Sequence, residues 1–170
     1  MSEHVGSTQL KAYSQTLMDL LTPGGRLLNH AIASVRPLPT ASNDQPGFID
    51  RYIFPDGEVV TLSSTVESLE QVGFEVRDVE ALREHYALTL RAWVNNLRDS
   101  WQEAQRLVPP SRARTWLLYL AASALAFEHG NLTIFQVLAV TQGEHAASNL
   151  PRTRGKWLLT APSRLDLIEA

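Results

Sequence analysis

Residues 131–140 read NLTIFQVLAV. Leu132, Ile134 and Leu138 fall on one alternating set of positions, and Phe135, Val137 and Ala139 on the other. Successive side chains of a strand point to opposite faces, so a run that is apolar on both predicts a strand covered on both sides. A strand of that kind needs a sheet around it and helices above and below.

Two further stretches supply strands. RLLNHAIASV (residues 26–35) is short, apolar and bounded by turn residues, which predicts a buried strand. FEVRDV (residues 74–79) alternates apolar and charged side chains, as a half-exposed strand does. Helices fill the intervals. Leu10, Tyr13, Leu17, Leu20 and Leu21 mark a helix over residues 8–21 that Thr22-Pro23-Gly24-Gly25 stops. Residues 36–47 hold three prolines and read as a loop. FIDRYIF (residues 48–54) reads as one or two helical turns, closed at Pro55-Asp56-Gly57. Ser64-x-x-Glu67 has the form of a capping box for a helix ending at Gly73. Leu90, Trp93, Val94, Leu97, Trp101 and Ala104 draw one apolar stripe, broken by Pro109-Pro110. Ala113, Trp116, Leu117, Leu120, Ala121 and Ala124 draw another, ended by Gly130.

Helices alternating with strands predict an α/β protein. Three strands cannot cover that much apolar surface on two faces, so the sheet is expected to be incomplete on its N-terminal side. Residues 1–141 are read as the domain and residues 142–170, polar and weakly patterned, as a tail.

Composition narrows the function. The chain is 44% hydrophobic and 19% charged, with net charge −3, which supports a buried core and offers no basic footprint for nucleic acid. Cysteine is absent, so disulfides, thiolate metal sites and cysteine nucleophiles are excluded, and a cytoplasmic location is expected. No run reaches the roughly 20 apolar residues that span a bilayer.

Four of the five histidines directly follow a glutamate: Glu3-His4, Glu84-His85, Glu128-His129 and Glu144-His145. Adjacent side chains diverge on helices and strands alike, and no His-Glu-x-x-His spacing occurs, so no metal site is expected. His30 lies inside a predicted strand, near its expected C-terminal end, where open α/β sheets place ligands. Glu3, just before the first helix, would share that edge if a strand preceded it. Tyr86 opens the long amphipathic helix. Each has an ordinary structural reading: a hydrogen-bonded core histidine, a terminal charge and a packing aromatic. The Trp93/Trp101 stripe and its partner read as core, with a lipid-chain groove as the alternative. No Gly-x-Gly follows any strand, and serine-hydrolase elbows and P-loops are absent.

SEHVG, LKAY, LLTPGGRLLNHAI, FIDRYIFPDGE, GFEVRDVEALREHYALTLRAW and YLAASALAFEHGNLTIFQVL occur in this order over roughly residues 2–141. In order and spacing they resemble the cyclopropane-fatty-acyl-phospholipid synthase and mycolic acid cyclopropane synthase family. The resemblance implies the C-terminal half of a class I, Rossmann-like methyltransferase sheet, with a helical lipid-binding cover. It implies one-carbon transfer from S-adenosylmethionine to the double bond of an unsaturated acyl phospholipid or related lipid. It also implies a bicarbonate that takes the departing proton, held by the glutamate of Glu-His, the histidine of Leu-Leu-x-His and the tyrosine of His-Tyr. Those positions are Glu3, His30 and Tyr86.

Members of that family carry further strands, a glycine-rich adenosylmethionine loop and an acidic ribose ligand before the Glu-His motif. The chain is therefore expected to start where the fourth strand ends, with Met1 an internal methionine, and to lack the donor site. The expectation is a truncated enzyme, inactive alone, in peripheral contact with the membrane. The alternative is a non-catalytic piece that binds lipid or pairs with a chain supplying the N-terminal half.

Overall fold

The computed structural model describes residues 2–36, 47–55 and 57–154. Its elements run α1 (Leu10–Asp19), β1 (Arg26–Ser34), α2 (Phe48–Tyr52), α3 (Leu62–Gln71), β2 (Glu75–Ala81), α4 (Arg83–Asp99), α5 (Trp101–Leu107), α6 (Pro110–Glu128) and β3 (Leu132–Val140). Short 3₁₀ turns at Ser2–His4 and Ser7–Gln9 precede α1, and another lies at Glu144–Ala146. All three expected strands are present. Most of the expected loop at 36–47, Asp56 of the expected turn, and residues 155–170 of the expected tail lie outside the described residues.

The sheet order is β1-β3-β2, with β3 antiparallel to both neighbours. The doubly apolar run thus takes the central position that its pattern demands. On one face Ile134 packs with Ala87 and Leu90 of α4 and with Ala124 and Phe127 of α6. On the other, Val137 and Ala139 meet Leu69 of α3 and Phe74, with Leu17 and Met18 of α1 around them. β2 is half-exposed, and its register with β3 shifts between Val76 and Asp78. β1 forms an edge: among the described residues only β3 pairs along its length, beyond a single bridge from Ser34 to Thr61.

Two local expectations are corrected. The cap of α3 is Thr61, whose side chain accepts the Ser64 N–H, so the helix begins ahead of the Ser64 box. Thr61 sits in extended backbone at φ −79 and ψ 158, the geometry that turns a side-chain oxygen onto the free amides of the first turn. Thr61→Ala is expected to lower stability by about 1 kcal/mol, read by urea unfolding, with Ser64→Ala costing less. The stripe through Trp101 is carried by two helices, because the chain departs from helical geometry at Ser100 (φ −96, ψ 23). The end of α3 is as expected, since Gly73 takes φ +102, a conformation that disfavours a side chain.

The residues that follow β3, Thr141 and then Asn149 and Arg154 of the expected tail, are tied back to the rest of the fold. Thr141 donates its hydroxyl to Thr22 O and accepts the Gly25 N–H, which ties the Pro-Gly turn to the end of β3. Arg26 bonds the carbonyl of Asn149 at 2.7 Å, and Arg154 pairs with Asp78.

Candidate functional site

A cavity of about 530 Å³ opens on the α4/α6 side of the sheet, at the end where β1 finishes and β3 begins. α4 lends Tyr86, Leu90 and Trp93 to its wall. α6 lends Trp116, Tyr119, Leu120, Ser123 and Phe127. Spacings of three and four residues keep each set on one helical face, and the two helices pack together so that the faces enclose one space. Phe54 and Ile49 come from the α2 region, and Glu3 and His4 from the first 3₁₀ turn.

The aromatic rings interlock, edge to face except for the tilted pair of Tyr86 and Phe127. Phe54 meets Tyr119 at 5.8 Å between centroids, and Tyr119 meets Trp116 at 5.5 Å. Tyr86 contacts Phe127 at 4.9 Å and Trp93 at 6.0 Å. Such contacts fix ring orientation and present π-faces and edges to the space between them.

Among the described residues lining this space the charged groups are carboxylates, Glu3 and Glu58, with no lysine or arginine. Glu3 Oε1 accepts the Ile32 N–H of β1 at 2.8 Å. Burial works against the charge of Glu3, but hydrogen bonds to its carboxylate, that of Ile32 among them, hold its pKa below the ordinary value. The Tyr86 phenol is pushed up, first by burial and then by the nearby Tyr119 and Glu3. Tyr86 thus keeps its O–H, a hydrogen-bond donor, beside a carboxylate that keeps its charge.

The structure brings Glu3 and Tyr86 to one cavity. His30 it places elsewhere: at the middle of β1, opposite Gln136, exposed and outside the lining. The expectation that it lies near the C-terminal end of its strand is corrected, since four strand residues follow it. By alternation His30 shares a face with Ile32, which does reach the cavity.

The apolar stripes proved to be more than core, since Leu90, Trp93, Trp116 and Leu120 all line the space. Sequence reasoning missed Phe54, Glu58, Tyr119 and Phe127. Tyr119 and Phe127 lie three residues beyond Trp116 and Ala124, so extending that stripe by helical spacing would have found both. Glu58 follows a turn and carries no periodic signal.

Comparison with known proteins identifies the family and the fold. The family described as mycolic acid cyclopropane synthetase matches residues 1–137. The chain is 42% identical over 158 residues to the "Probable fatty acid methyltransferase" of Pseudomonas putida, covering 91% of this chain and 39% of that protein. It is 40% identical over 151 residues to a protein of the same description from Mycobacterium tuberculosis, covering 89% of this chain and 35% of that one. It therefore spans well under half the length of these relatives. Its structure resembles mycolic acid cyclopropane synthase CmaA1 complexed with SAH and CTAB, with a TM-score of 0.74 at 26% identity, covering 82% of this chain and 52% of that one. The cyclopropane synthase MmaA2 of Mycobacterium tuberculosis gives the same TM-score and coverage at 25% identity. On the match over residues 1–137, the chain belongs to the mycolic acid cyclopropane synthetase family.

Proposed function

We propose that this chain forms the acyl-chain wall of an enzyme that transfers one carbon from S-adenosylmethionine to the double bond of an unsaturated fatty-acyl lipid. The observation that carries this reading is the cavity. Its volume lies within the range of about 300–1,000 Å³ typical of small-molecule sites. Its walls are aromatic and aliphatic, and its charges are negative, which suits a hydrocarbon chain entered tail first with an anionic head left outside.

The aromatic faces and the Glu3 carboxylate stabilise positive charge as it develops on the substrate carbon. Tightly set rings exclude water from that carbon. Glu3 accepts a hydrogen bond and Tyr86 donates one. Bicarbonate carries both an O–H and anionic oxygens, so these two residues fit it by chemistry, while His30 in its present place adds no contact. When bound, that anion would supply the base for the departing proton. The adenosylmethionine site belongs, on this reading, to the part of the family fold that this chain does not span. No helix among the described residues is long and apolar enough to cross a membrane, and the proposed contact with a lipid surface is peripheral.

The outer side of β1, along which no further strand lies among the described residues, favours a second reading, a chain that completes its site by pairing with another polypeptide. One titration series separates the two. The 170-residue chain is expected to bind cis-parinaric acid saturably, with energy transfer from Trp93 and Trp116, and to show no tight calorimetric binding of S-adenosylmethionine. Failure of the acyl probe to bind would overturn the acyl-wall reading. Tight donor binding by the chain alone would overturn the assignment of the donor site. Recovery of methyl transfer on adding the N-terminal portion of the Pseudomonas putida relative would establish the pairing role, and its absence would count against that role.

A further inference from the structure

We infer that Glu58 is a positioning residue for Glu3, an inference that rests on reading the cavity as the reaction site. Residues 3–7 read Glu-His-Val-Gly-Ser, and Glu58 grips both ends of this loop. Its backbone N–H donates to Glu3 O at 2.8 Å. Its carboxylate accepts from the Ser7 N–H at 2.7 Å and from the Ser7 hydroxyl at 3.1 Å.

Gly6 allows the second grip. It takes φ +73, and a Cβ there would lie 2.9 Å from Glu58 Oε2, so a side chain would both strain the backbone and displace the carboxylate. His4 is set by another residue of the same segment, its ring edge-on to Phe54 at 5.4 Å. Phe54 and Glu58 therefore act as a template on which the Glu3 loop is laid.

Glu58 holds Glu3 by the Glu3 backbone carbonyl, and the Glu3 carboxylate is carried across to the Ile32 N–H of β1. The Ile32 amide thus reports whether Glu3 is in place, independently of any turnover. Without the Glu58 carboxylate the loop loses its anchor at Ser7, which loosens the hold of Glu3 on the Ile32 amide of β1.

The test uses the full 170-residue chain, labelled for NMR. In Glu58→Ala the Ile32 amide is expected to exchange at least about tenfold faster, as expected for a lost protecting hydrogen bond. The titration of the Glu3 carboxyl is expected to move up toward that of an ordinary carboxylate. Glu58→Gln, whose amide oxygen still accepts the Ser7 N–H, is expected to restore both. The Val137 amide in the sheet centre is the internal control. Wild-type behaviour of Ile32 and Glu3 in Glu58→Ala would overturn the proposal. Equal acceleration at Ile32 and Val137 would also overturn it, because the effect would then be global stability. So would a Glu58→Gln variant that behaves like Glu58→Ala. A wild-type chain that binds no acyl probe would sink the proposed function and leave these amide readings intact, so the two failures are told apart.

Discussion

Phe127→Ala is expected to lower the unfolding free energy by about 3–5 kcal/mol, the range for deleting a fully buried aromatic ring. Phe127 is 1% exposed. It packs with Ala87, Leu90, Ala124 and Ile134, so it bridges α4, α6 and the central strand. Two of those neighbours are alanines, which cannot swing in to fill the space that the ring leaves. Natural domains are stable by only about 5–15 kcal/mol, so the loss takes a large share of the total. Urea unfolding measures it, with Leu118→Ala as the comparison. Leu118 lies on the same helix but is 57% exposed, and its truncation should stay within about 0.5 kcal/mol. A Phe127→Ala cost below about 1 kcal/mol would mean that the helices close over the gap, contrary to the packing described. The variant also removes the ring that holds Tyr86 at 4.9 Å, so the phenol should lose its fixed orientation.

This coupling of core to site explains why the sequence was legible where it was. Apolar periodicity reports burial, and burial sets most of this fold. The run at 131–140 is apolar on both faces because β3 is central, and the charged alternation of 74–79 follows from β2 lying half-exposed at an edge. Periodicity does not distinguish a side chain packed against another from one facing an enclosed space. Trp93 and Trp116 therefore read as core although they line a cavity. Motif spacing brought Glu3 and Tyr86 to notice, and their meeting depends on α4 and the first 3₁₀ turn arriving at the same end of β1. His30 shows the limit of such reasoning. Its motif is intact, but its place in the middle of β1 is set by strand register against Gln136, which the motif does not encode. Thr61 was missed as a cap because Ser64-x-x-Glu67 has the stronger local pattern, whereas the choice of cap depends on extended backbone at 61.

Ser123→Phe is expected to weaken acyl-probe binding by roughly a hundredfold while leaving the chain folded. Ser123 lies one helical turn after Tyr119 and one before Phe127, and all three line the cavity. A small residue between two aromatic ones leaves a gap in the ridge, and the cavity extends into that gap. A phenyl ring there would occupy space otherwise taken by about four methylenes of a bound chain. At ~0.8 kcal/mol per buried methylene the loss is about 3 kcal/mol, which corresponds to the stated factor. Stability should change little, because the ring enters open volume and covers apolar neighbours. Ser123→Ala keeps the gap and removes only the hydroxyl, so it should bind the probe as the wild type does. Fluorescence titration with cis-parinaric acid and thermal unfolding, run on all three proteins, decide the matter. If Ser123→Phe folds and binds the probe with unchanged affinity, the acyl chain lies elsewhere and the cavity is not its site.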